Sequence, residues 1–357
     1  MPHRPTALSV LVALLLLLLS GCGPHPPAGS TPRIIERFDQ VSGTTELLIA
    51  LSPVDDRVVW VSGAGGTWAR TTDGGAHWAS HRVPRADSLQ FRDVHAVDAE
   101  RAYLLSIGSG DRSRIYKTVD SGNTWTLQFA NADPKAFYDC FDFWDADHGI
   151  AIGDAVDGEI VIITTTDGGA HWTRIAPAAL PAALPAEGSF AASGTCLVTR
   201  PGGRAWIVMS NRDHARLLRT ADYGRRWMID SLPVTTRDGV GPQSVSFRDD
   251  RHGIVIGGGA NAKPTDIGSA VTRDGGATWT AAGRPALATG VWGAAYVPGA
   301  RAPTVVAVGP DGAAYSRDDG VSWIPIDSLN YWSVGFASPN AGWAVGKGGR
   351  ITRIGGF

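Results

Sequence analysis

The sequence predicts an all-β chain, a seven-bladed β-propeller of four-stranded antiparallel blades closed by an N-terminal strand that completes the last blade. Three observations lead there. An eight-residue phrase, Ser/Thr-X-Asp-X-Gly-X-X-Trp, occurs six times, with its aspartates (Asp73, Asp120, Asp167, Asp222, Asp274 and Asp318) 47, 47, 55, 52 and 44 residues apart. A repeat of that size is too small to bury its apolar face alone and must pack on neighbouring copies. The final unit carries three strand-like runs and no phrase, while an unassigned strand-like run, Arg33 to Asp39, precedes the first full unit.

Taken in order, the chain opens on a targeting segment, residues 1–21. His3 and Arg4 precede an apolar run from Ala7 to Leu19, which is too short for a spanning helix. The run ends in Leu19, Ser20, Gly21 and Cys22, a sequence that looks like a bacterial lipobox. Cleavage before Cys22 makes that thiol the lipidation site, whereas a plain signal peptide would leave it a stray thiol in an exported protein. Residues 22–32, rich in Pro and Gly, read as a tether. Gly23 after the cysteine resembles lipoproteins sent to an outer membrane. The expected location is therefore the periplasmic face of that membrane or the cell surface, with the membrane contacted through the N-terminal lipid.

Residues 33–357 read as one propeller. Removing the first 21 residues leaves 336, or 48 for each of seven blades. Blade 3 shows the pattern in full. The run 139–143 leads through a turn at 144–149 to a strand at 150–153, a loop, a strand at 159–164 and the phrase. These are short β-branched and apolar runs bounded by Gly and Asp. In the phrase itself, the carboxylate accepts local backbone N–H bonds and Gly takes a positive φ at no steric cost. Trp begins the next strand and packs between blades. Reading the six aspartates as calcium or catalytic sites is the weaker alternative, because turn formation is the ordinary use of Asp followed by Gly. The run 33–39 is expected to pair as the outer strand of the last blade, since an unclosed ring would leave edges open to aggregation.

The phrase is identified as the Asp-box, or bacterial neuraminidase repeat. Its spacing and surroundings resemble the seven-bladed Asp-box propellers of the photosystem II stability/assembly factor family, over nearly all of the mature chain. That resemblance implies an assembly or stability role for an envelope or membrane complex, and hence a protein partner. No residue points to a photosystem as the client. Sialidases and other glycosidases also carry Asp-boxes, so a glycoside hydrolase, with a glycan as ligand, is the alternative.

Composition narrows the field. Lys and Arg total 32 against 34 Asp and Glu, a net charge of −2, with no basic stripe, which argues against nucleic acid. Beyond Cys22, the cysteines are Cys140 and Cys196, expected in the same register on inner strands of adjacent blades. They read either as a disulfide, permitted by an oxidising compartment, or as two buried thiols out of reach. Nothing calls for more than a monomeric ring.

Function is sought on the face opposite the boxes. In a four-stranded meander, the a–b turns and the box-bearing c–d turns share one end. The b–c and d–a connections, variable in length, share the other, and variable loops on a rigid scaffold are where function is usually placed. The candidate binding rim comprises Asp111 and Arg112 of blade 2; Asp154, Asp157 and Glu159 of blade 3; and Glu187 in the connection after it. It continues through Arg212, Asp213 and His214 of blade 4 and Asn261, Lys263 and Asp266 of blade 5. If the chain is a hydrolase, Asp154, Asp157 and Glu159 are the carboxylates it would use. No catalytic residue, metal site or cofactor motif is assigned: G-x-S-x-G and H-E-x-x-H are absent, as is the Arg-Ile-Pro phrase of sialidases. Glutamate is confined to five positions.

Overall fold

A computed structural model describes Met1 and residues 35–357 apart from 260 and 261. The targeting segment, Cys22, the tether and Asn261 lie outside the described residues. Ile34 to Phe357 form one compact unit. Seven four-stranded antiparallel sheets succeed one another in it, and the apolar core is divided among the interfaces between neighbouring blades. Trp60 and Trp68 of blade 1, for instance, pack with Phe91, Leu104 and the box residue Trp125 of blade 2. Second strands such as Val59–Gly63, Ala102–Ser106 and Ala341–Val345 are wholly buried, and outer strands such as Thr173–Arg174 and Thr280–Ala281 are short and exposed.

Each phrase lies between the third and fourth strands of its blade, and the six turns are built alike. In blade 3, the Thr165 hydroxyl donates to Asp167 Oδ1 (2.8 Å) and accepts from the Gly169 N–H (2.9 Å), while the His171 N–H donates to the same Asp167 oxygen (2.9 Å). Gly169 has φ 86°, and its five counterparts lie between 78° and 91°, which is why only glycine serves there. The bonds from the His171 backbone, its ring and the Thr165 hydroxyl hold the Asp167 carboxyl down at about 2.

The ring closes as the sequence predicts. Strands Ser333–Ser338, Ala341–Val345 and Ile351–Gly355 are completed by Glu36–Gln40, which runs antiparallel to the third from Glu36 opposite Gly355 to Gln40 opposite Ile351. Side chains reinforce the seam, with Arg350 on Asp39 (3.2 Å) and Arg37 on Asp327 (2.5 Å).

Blade 4 departs from the plan. Its inner strand, Leu197–Arg200, has four residues, although its second strand, Arg204–Ser210, has seven. The missing length is diverted. Gly188 still pairs with Ser210, and Cys196 O accepts from the Val208 N–H (3.0 Å), but residues 190–195 leave the sheet between those two points. Arg92 of blade 2 donates to Ala191 O (2.9 Å), Ser193 donates to Trp292 O ahead of blade 6 (2.6 Å), Ser333 of blade 7 donates to Ser193 O (3.3 Å), and the Val245 N–H of blade 5 donates to Thr195 O (2.9 Å). One short segment can touch the inner strands of four such blades only by crossing the middle of the ring. It plugs the channel. Cys140 and Cys196 are joined at its C-terminal end, with Cα atoms 6.1 Å apart and both residues fully buried. No helix among the described residues is long and apolar enough to cross a membrane.

Candidate functional site

The face opposite the boxes carries a pocket of about 440 Å3 at blades 3 to 5, lined by Asp154, Glu187, Ser189, Arg212, Arg237, Asp238 and the backbone around Phe190 and Gly239. It gathers three residues of the sequence-derived rim, Asp154, Glu187 and Arg212. Asp266 touches it indirectly, by accepting from Arg237 and from the Lys263 N–H.

The remaining rim residues are dispersed. Asp111 pairs with Arg114 (3.1 Å), and Arg112 closes over Gly108. Asp157 pairs with Lys135 (2.9 Å), while Glu159 pairs with Arg174 of the outer strand (3.0 Å). Asp213 and His214 are exposed and form a turn on the Asn211 carboxamide.

Two expectations need correcting. Asp154 does not stand in a b–c loop: the second strand of blade 3 runs Gly149–Val156 and the third starts at Glu159, so only Asp157 and Gly158 make the turn. Asp154 sits in a bulge of that strand, between pairs at Gly153 and Val156, and a bulge re-aims its side chain. Glu187 is not an available rim acid. Its side chain is fully buried, bonded by Arg216 through Nε (2.6 Å) and Nη2, and it accepts the Leu184 N–H (2.9 Å). The unsolvated carboxylate is stable there because the guanidinium meets it in fork geometry.

Asp154 is half-buried and turned toward the start of the plug. It accepts the Ser189 backbone N–H, and burial pushes its carboxyl up to about 6. A Cβ on Gly188 would lie 1.9 Å from its Oδ1, so a larger residue there would force the carboxylate to move. The acid in electrostatic contact with Asp154 is Asp139. Of the three carboxylates Asp154, Asp157 and Glu159, the latter two each pair with a separate exposed cation, Lys135 and Arg174. Among the described residues, no group of three or more His, Cys, Asp or Glu side chains has metal-site geometry.

A second feature of this face escaped the sequence reading. Trp292 and Trp332 precede the inner strands of blades 6 and 7, with ring centroids 4.3 Å apart, and the Arg92 guanidinium lies 5.2 Å from the Trp332 ring. Both indoles are half-buried and lie beside the plug, since Trp292 O accepts from Ser193. Tryptophan and arginine are the side chains most enriched in interface hot spots. The signal for the plug was present as the 55-residue spacing between Asp167 and Asp222. Nothing local marked the two tryptophans. A roomier cleft of about 670 Å3 at the ring closure is bordered by Asp39, Glu46, Arg82 and Arg350, which already pair with one another.

Solved structures share this architecture. YCF48 bound to D1 peptide superposes with a TM-score of 0.63 at 18% identity, over 92% of this chain and 97% of that one. The likeness is one of fold. YCF48 from Cyanidioschyzon merolae gives a TM-score of 0.62 at 14% identity, over 89% and 98%. The GH74 xyloglucanase from Xanthomonas campestris gives 0.61 at 15% identity, over 89% of this chain but 53% of the enzyme. No protein-family profile and no curated protein matches the sequence. What these structures share with the chain is the seven-bladed propeller architecture.

Proposed function

We propose that the chain is a non-enzymatic propeller that holds a segment of a partner protein on its loop face, as an assembly or stability factor in the cell envelope. The observation that carries this reading is the asymmetry of the two faces. Box aspartates are engaged in their own turns, whereas the loop face presents the pocket at Asp154 and the Trp292, Trp332 and Arg92 cluster beside a sealed channel. YCF48 has been solved with a D1 peptide bound, which shows that a propeller of this shape can take a peptide.

The same reading includes a lipid anchor at Cys22. The chain enters the closing strand at Glu36, opposite Gly355, at the box end of the blade. An anchored ring would be tethered by its box side, with the loop face clear for a partner.

The test is affinity capture from detergent-solubilised membranes, comparing the wild type with a Trp292→Ala, Trp332→Ala double variant. A stoichiometric protein captured by the wild type and lost in the variant supports the reading. Capture unaffected by the variant overturns the loop-face reading, and release of sugar from envelope glycan in place of protein binding overturns it in favour of the hydrolase.

A further inference from the structure

We propose that the loop-face pocket receives a basic side chain, a lysine or arginine of the bound segment, whose charge is met by Asp154 and by Asp139 behind it. This rests on the loop-face reading above and adds the chemistry of what the pocket takes.

Asp139 is the extra residue of a β-bulge: Tyr138 pairs with Gly153 and Cys140 with Ile152, leaving Asp139 unpaired between them. Its side chain is 2% exposed and its Oδ2 is buried without a hydrogen-bond partner. A buried carboxyl in that condition requires an explanation, because leaving a polar group unsatisfied costs about 1–3 kcal/mol. Its charged neighbours are Asp154, from the next strand of the same blade, and Arg92, from the inner strand of blade 2. Arg92 is committed elsewhere. Its guanidinium bonds Gln90 Oε1 through Nε and Nη2 (3.2 and 3.0 Å) and Ala191 O through Nη1 (2.9 Å), and it lies over Trp332. The resident cation holds the plug and makes no hydrogen bond to the acid.

Asp154 connects this buried acid to the pocket. Three carboxylates belong to residues lining the pocket, and two have cations: Glu187 has Arg216, and Asp238 has Arg212 at 3.6 Å. Arg237, the other lining cation, bonds Asp266. Asp154 makes no ion pair among the described residues and accepts one backbone N–H, from Ser189. Asp154 thus stands at the edge of a cleft of about 440 Å3, a volume that admits an extended side chain, with Asp139 buried behind it and electrostatically coupled to it, and neither carboxyl has a hydrogen-bonding counter-ion. An ammonium or guanidinium entering there supplies the counter-charge that both acids lack. Burial keeps Asp139 well above the usual carboxylate range and Asp154 near 6, so the arriving cation also displaces a proton.

The probes are acetylated, amidated pentapeptides of sequence Ala-Ala-X-Ala-Ala with X as Lys, Arg or Ala, titrated into the full mature chain by calorimetry in two buffers of different ionisation heat. The Lys and Arg peptides are expected to bind and the Ala peptide not to. Binding should release protons near pH 6 and tighten about tenfold from pH 5 to pH 7, as the ionised fraction of a group titrating at about 6 rises. Asp154→Asn, which keeps an acceptor for Ser189, should weaken binding at least tenfold and abolish the pH dependence. Asp139→Asn should weaken it without lowering the melting temperature, and it decides the matter if the first variant folds poorly. Equal binding of the Ala peptide, unchanged affinity in both variants, or displacement of the Lys peptide by calcium or sodium chloride at matched ionic strength each overturns the proposal. If the peptides fail but the wild type still captures a partner that the double tryptophan variant loses, only the basic-side-chain assignment falls. If capture also survives in that variant, the loop-face reading falls with it.

Discussion

At the scale of the residue, aspartate is shifted in two opposite directions in this chain, according to what surrounds each carboxyl. In the boxes it accepts backbone N–H bonds and stays ionised into strong acid. Asp167 titrates at about 2 when folded against an ordinary 3.8, so the stability it contributes is complete above about pH 4 and is lost as pH falls toward 2. Thermal melts from pH 2 to 5 should show a steeper acid loss for the wild type than for Asp167→Asn, and Asp167→Ala should lower the melting point at pH 7 without changing what the protein binds. Asp154 has the opposite sign. Its folded value of about 6 lies above 3.8, so the folded chain holds a proton that the unfolded chain releases, and stability declines as pH rises from about 4 to 6. Asp154→Asn should flatten that decline, and Asp139→Asn should gain on the wild type as pH increases. The box aspartates were legible in the sequence because each is followed within two positions by the glycine its turn requires. Asp139 was visible only as part of a strand, since neither its bulge nor its missing partner is a local property.

At the scale of the element, two short segments decide whether the ring is complete. Glu36–Gln40 pairs with Ile351–Gly355 across more than three hundred residues of chain. Deleting residues 33–40 should leave the third strand of blade 7 as an open edge. The expected result is aggregation, or a melting temperature lower by at least about 5 °C, given that one kcal/mol is worth about 2–4 °C in a large domain; an unchanged melt would show that the seam is dispensable. The other segment is the plug. Its disulfide closes a sequence separation of 56 residues, and Cys140→Ala with Cys196→Ala should cost about 2–4 kcal/mol. Hydrogen exchange should then rise first at residues 190–195. Both sulfurs are buried, so an external thiol reaches them only after local opening, and the bond is a staple in the resting fold.

At the scale of the whole molecule, the repeated architecture separates the two faces. Identical box turns occupy one side because c–d connections all share one end of an antiparallel meander. The connections that differ in length occupy the other, and there lie the pocket at Asp154 and the paired indoles of Trp292 and Trp332, beside the plugged centre of the ring. With the channel filled, a ligand meets a surface and cannot pass through. Membrane capture with the Trp292→Ala, Trp332→Ala variant therefore tests this face as a unit: loss of a stoichiometric partner with an unchanged melt is the expected outcome.

The primary sequence by itself determined the number of blades, the place of each box turn and the strand that closes the ring. Those features depend on local turn chemistry, on a fixed repeat length and on a count of strands. Topology alone also assigned the uniform box turns to one face and the connections of variable length to the other. Tertiary structure decided which rim residues are free. Glu187 is held by Arg216, 29 residues further on, and Asp154 is set apart from Asp157 and Glu159 by a single bulge. It also brought Arg92, Trp292 and Trp332 together around residues 190–195, from blades far apart in the chain. A repeat specifies where each blade lies, but side chains that meet across the axis of a ring do so through its closure, and no local pattern records that meeting.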